Sequence, residues 1–141
     1  MTYLNDFHIL VGETLMYCQR IEHDIKIIYA AMLDGNLTDN LKLVEKETLG
    51  TVLVALRALD ESDKNPTFTK KDYALLKEIK NIRNFIAHQC YIEFLYQSEE
   101  NFSKKISENY KKIDFFNKNL KDLANFVEKA RFSILSRYKL I

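Results

Sequence analysis

The residue types best suited to chemistry in this 141-residue chain gather in one segment, KEIKNIRNFIAHQCY, from Lys77 to Tyr91. Placed on a helical wheel, Leu75, Ile79, Ile82 and Ile86 form one apolar stripe, and the opposite side collects Lys77, Lys80, Asn81, Asn84, His88 and Tyr91. His88 follows Asn84 by four residues and precedes Tyr91 by three, spacings at which side chains on a helix meet. A histidine on a polar face can take up or release a proton near neutrality, and an arginine offers a planar fork of donors to a phosphate. Arg83 lies five residues before His88, so on a regular helix the two start roughly 140° apart and form no i, i+4 pair. A guanidinium swept around the flank, a bend, or a partner chain would have to complete the geometry. The same residues have plainer roles: Arg83 as a boundary residue whose head pairs with an acid, and Tyr91 as packing. Glu22, beside an Ile-rich stripe, either orients Arg83 from a neighbouring helix or is a solvated charge, the second being the commoner case.

Other chemistries find little support. Gly12, Gly35 and Gly50 are the only glycines, so no Gly-rich phosphate loop can be written. Cys18 and Cys90 show no CxxC or Cys/His spacing, and His8 and His23 have no partners at ligand spacing, so no metal or cofactor is expected. Both cysteines read as reduced and structural. No paired carboxylates and no Ser or Cys nucleophile context stand out.

The elements that must position the Arg83–His88 segment read as helices. One proline and three glycines are few for this length, and the apolar residues recur at three and four. The expectation is an all-α, up-and-down bundle of four to five long helices in one domain spanning residues 1–141. A first helix runs from about Tyr3 to Asp34 with Leu10, Leu15, Cys18, Ile21, Ile25, Ile28 and Met32 inward, and Gly35-Asn36 ends it. Gly12 marks a kink, a close contact, or a later start. A second block starts at Asn40 or Thr48, and DESDKNPTFT is the longest loop. Thr69 to Asp72 forms a capping-box pattern opening a third helix, from about Lys70 to Tyr96. A fourth runs from about Glu100 to Tyr138; its lysines, from Lys104 to Lys121, suit an RNA backbone, while its aromatics at helical spacing suit the core.

Charge is uneven. Residues 1–70 carry 7 Lys and Arg against 11 Asp and Glu, and residues 71–141 carry 14 against 9. The C-terminal half is therefore the expected side for an anionic ligand. No stretch approaches the roughly 18 apolar residues of a membrane span, and no signal-peptide pattern opens the chain, so a cytoplasmic protein is expected.

Arg83-Asn84-Phe85-Ile86-Ala87-His88 resembles the signature of HEPN domains, in which an Arg, usually followed by Asn, Asp or His, precedes a His across four to six residues near the end of a long helix. The resemblance implies an α-helical bundle and a metal-independent endoribonuclease, often the toxin of a toxin–antitoxin pair or an antiphage effector, acting as a homodimer. It implies catalytic roles for Arg83 and His88, with Asn84 and Tyr91 in support, and RNA and an antitoxin protein as partners. In one branch a modified Tyr lies two residues after the His; here Cys90 holds that place and Tyr91 follows. A non-catalytic module binding a nucleotide, nucleic acid or protein is the alternative, and a purely structural helical dimer a third.

Overall fold

In the computed structural model, which describes residues 4–138, long helices are built where the apolar periodicity asks for them. They are α1 (Leu4–Met32), α2 (Leu37–Val44), α3 (Leu49–Glu61), α4 (Lys70–His88), α5 (Ile92–Leu95) and α6 (Glu99–Arg137). No strand occurs among the described residues, and no helix there is long and apolar enough to cross a membrane. Tyr3, the expected start of the first helix, lies outside the described residues.

Local signals account for most boundaries. After α1, Gly35 adopts φ 104°, the left-handed conformation that costs glycine little. Asn36 caps α2 and Thr48 caps α3, each accepting from the backbone N–H three residues on. Asn40, read as a possible cap, instead lies buried within α2, where its amide donates to the carbonyls of Ala30, Leu33 and Asp34 and closes the end of α1. Thr69 and Asp72 form the expected capping box at α4. The proline-containing loop is tied down by Asp60, whose carboxylate accepts from Thr67 N (2.7 Å), Phe68 N (3.0 Å) and the Tyr73 hydroxyl (2.6 Å).

Gly12 marks neither a kink nor a contact. It is exposed within the unbroken α1, and a Cβ there would meet nothing within 4 Å. Gly12→Ala is therefore expected to stabilise the fold by about 1 kcal/mol, since it removes the helix penalty of glycine without a clash. Urea unfolding measures it; a lower midpoint would show that α1 needs glycine there.

Side-chain pairs define the directions. Asn117 donates to Thr14 and Glu13, Arg20 pairs with Glu128, and Arg131 with the buried Asp24, so α1 and α6 run parallel along their most extensive interface. Arg83 pairs with Glu22, and Tyr91 meets His8, so α4 descends antiparallel to α1. The core between them holds Phe7, Ile21, Ile25, Ile28, Leu76, Ile79, Ile113 and Val127, all at 0% exposure. Each such aliphatic or aromatic side chain contributes roughly 1.5–3 kcal/mol by leaving water. Helix α4 packs on α1 and α3 and stands off α6, leaving a groove between them.

Two expectations about α4 are corrected. Leu75 is 39% exposed and Leu76 takes its place in the core, because α3 and the Asp60-bound loop cover the flank on which Leu76 and Tyr73 lie. The helix also ends at His88, not near Tyr96. The N–H groups of Gln89 and Cys90 both reach the Phe85 carbonyl, the Cys90 thiol donates to the Ile86 carbonyl, and Asn109 of α6 donates to the Cys90 carbonyl. The chain then turns so that Tyr91 and Phe94 pack edge-on against Phe7, each at 5.2 Å between centroids, and Phe94 against Phe102. Burial of that aromatic cluster takes precedence over continuing the helix.

Candidate functional site

The segment 83–88 keeps helical geometry to its last residue, so its side chains fan around α4. Arg83 leaves on the flank facing α1, while Asn84 and His88, four residues apart, share the outward face and are both exposed. The guanidinium does not sweep toward His88. Its Nη1 donates to Glu22 Oε2 at 2.5 Å, with side chains 35% and 22% exposed. Glu22 also faces Lys26 Nζ at 3.5 Å, and that ammonium reaches the Glu45 carbonyl at 3.4 Å. The reading of Glu22 as a solvated charge is thus replaced by an orienting role. The sequence carried one hint, since Glu22 precedes Lys26 by four on the same face.

Two cations around one carboxylate leave this cluster with net positive charge, so pairing with Glu22 positions Arg83 without cancelling its attraction for an anion. Cys18 lies in the field of the same cluster. Burial pushes its thiol up to about 11, with the Arg83 charge pulling the other way and Glu22 reinforcing the rise. Burial likewise, aided by Glu93, raises the Cys90 thiol to about 11. At neutral pH both stay protonated and are poor nucleophiles, as structural cysteines should be.

Tyr91 does not stand beside His88. Beyond the helix end it turns to α1, and its hydroxyl forms a 2.6 Å hydrogen bond with His8 Nδ1. Burial, then Cys90, raises the phenol above its usual value. Tyr91 is therefore removed from the outward face on which the wheel had placed it. Its contacts join the turn after α4 to the start of α1. No hydrogen bond or ion pair links Arg83 with His88, and the His88 side chain has no hydrogen bond to a described residue.

Sequence reasoning missed the surroundings of this face. Lys112 of α6 lies over the Phe85 ring, with Nζ 3.9 Å from its centroid, and Phe115, expected in the core, is 65% exposed. A groove on either side of α4, one toward α6 and one toward α3, reaches Glu78 and Asn81, so the outward face forms a ridge between two hollows. No family model, curated protein or solved structure matches the chain.

Proposed function

We propose that the chain is a metal-independent endoribonuclease of the HEPN kind, cutting single-stranded or looped RNA in a site completed by a second copy. The observation that carries this reading is the state of the two motif residues: an arginine held in place by Glu22, and an exposed histidine at the end of the same helix whose side chain has no hydrogen bond to a described residue. Within one chain they face different ways, and a two-fold pairing across the outward face of α4 supplies the missing partner.

The residue types fit the reaction. His88 of one copy takes the proton of the 2′-hydroxyl, which attacks the adjacent phosphorus, and solvent gives a proton to the leaving 5′ oxygen. The Arg83 fork donates to the non-bridging oxygens as charge builds on them, and Asn84 steadies the phosphate from the outward face. The bond to the 5′ oxygen breaks, leaving a 2′,3′-cyclic phosphate and a 5′-hydroxyl. In-line attack needs backbone freedom that an A-form duplex denies, hence the unpaired substrate. Such an enzyme would work in the cytoplasm as a toxin restrained by an antitoxin protein, or in antiphage defence.

Incubating the purified protein with a mixed RNA pool in EDTA and mapping the ends tests this. Cyclic phosphates and 5′-hydroxyls, with no cut in strands that are 2′-deoxy at the scissile position, are expected. Cleavage that requires a divalent ion, or that leaves 5′-phosphates, would overturn it. A second reading, a non-catalytic binding module, is favoured by the open groove beside α4. It predicts that His88→Ala keeps full biological activity.

A further inference from the structure

The groove between α4 and α6 encloses about 490 Å³, within the range of ~300–1,000 Å³ usual for small-molecule sites. Its floor is aromatic: Phe85 and Phe116 meet edge-on at 6.5 Å, and Phe115 presents an open ring beside them. Its rim is made of carboxamides. Asn84 comes from α4, Gln89 from the C-cap position at its end and Asn119 from α6; all three are exposed, and none has a side-chain hydrogen bond to a described residue. The one acid in the lining, Glu78, accepts from Asn81 at 3.3 Å. The one cation, Lys112, is drawn inward over the Phe85 ring.

We infer that this groove seats an unpaired nucleobase of an RNA strand. A carboxamide presents a donor and an acceptor side by side, the pattern that pairs with the edge of a base, and an exposed phenyl ring offers it a stacking face. Lys112, on the same side, meets the adjoining phosphate. An aliphatic or acyl ligand would leave the carboxamides unpaired, and a basic peptide would face Lys112. The groove also shares Asn84 with the outward face that carries His88, one helical turn on. A strand whose base enters the groove therefore passes its backbone over the end of α4. The inference rests on the ribonuclease reading for that last step and identifies the base beside the cut as the feature recognised.

A short 2′-O-methyl RNA, which cannot be cut, is titrated in EDTA into wild type, Phe115→Ala and Asn119→Ala, with fluorescence anisotropy as readout, beside the same strand made abasic. Base removal and Phe115→Ala should each weaken binding about tenfold or more, the effect of one lost stacking contact, with Asn119→Ala weaker for some bases than others. Equal binding of the abasic strand, or full affinity in Phe115→Ala, would overturn the groove assignment, as would no binding by wild type. Sedimentation of the same variants covers the remaining occupant: if Phe115→Ala separates a dimer, the groove belongs to a second copy and the inference fails. The two readings fail separately. Binding that depends on Phe115 without cleavage by wild type sinks the catalytic reading alone; cleavage with Phe115-independent binding sinks the groove alone.

Discussion

An equimolar mixture of the Arg83→Ala and His88→Ala proteins, allowed to exchange subunits, is expected to cut RNA although neither protein alone does so. Each substitution should lower the rate by at least about a thousandfold, the scale of a lost acid–base or charge-stabilising group. Within one chain Arg83 turns to Glu22 and His88 faces solvent on another side of α4, so a site drawn from one copy lacks one of the two. In a mixed dimer one of the two composite sites keeps an intact Arg83 from one chain and an intact His88 from the other. Random pairing then restores up to about a quarter of wild-type activity. Single-turnover cleavage after exchange reads this out, with native mass spectrometry confirming mixed dimers. Mixed dimers that stay silent would show that sites are not shared. Neither substitution should cost much stability. His88 is exposed, and the partly exposed Arg83–Glu22 pair is worth about 0–1 kcal/mol, with Lys26 remaining as the counterion of Glu22.

Asp60→Ala should have the largest effect on stability, roughly 3–5 kcal/mol, because it strips the partner from three donors around a buried site. Asp60 is 1% exposed and holds Thr67 N, Phe68 N and the Tyr73 hydroxyl together. Through them it shapes the loop that starts α4 and seats Phe68 against Tyr73 and Phe126. Burial, and then its bond to Asp60, keeps the Tyr73 phenol protonated well beyond the usual range, so this ring always acts as donor to the carboxylate. Asp60→Asn, which retains an acceptor but loses the charge, should fall between wild type and Asp60→Ala. Urea unfolding of the three proteins measures the series; a loss below about 1 kcal/mol for Asp60→Ala would show that the loop is held by its apolar contacts instead.

How far the sequence could be read varies from residue to residue. The capping box at Thr69 and the Gly35 stop are local, and the backbone groups involved sit within a few residues, so both were visible in the chain itself. The inward stripe of α1 was visible for the same reason, through its spacing. The end of α4 was not. No glycine or proline marks residues 88–91, and the break comes from Phe7 of α1 and Asn109 of α6, which lie far away in sequence. One helical wheel drawn through that break misplaced Tyr91. The wheel also put Leu75 inward, because the choice between Leu75 and Leu76 depends on which flank α3 covers.

By itself the sequence determined that this chain is all-α, because helix formation answers to spacing, caps and the scarcity of breakers, all of them local. It also determined that Arg83 and His88 leave a regular helix roughly 140° apart, though not whether a swept guanidinium, a bend or a partner chain closes that angle. What covers each face was decided only by the tertiary structure: that Glu22 holds Arg83, that Tyr91 belongs to His8 and Phe7, and that α6 stands off α4 to open a groove. The Arg83–Glu22, Tyr91–His8 and Tyr91–Phe7 pairs join residues 61 to 84 positions apart, and no periodicity within one helix can say which distant side chain will reach it.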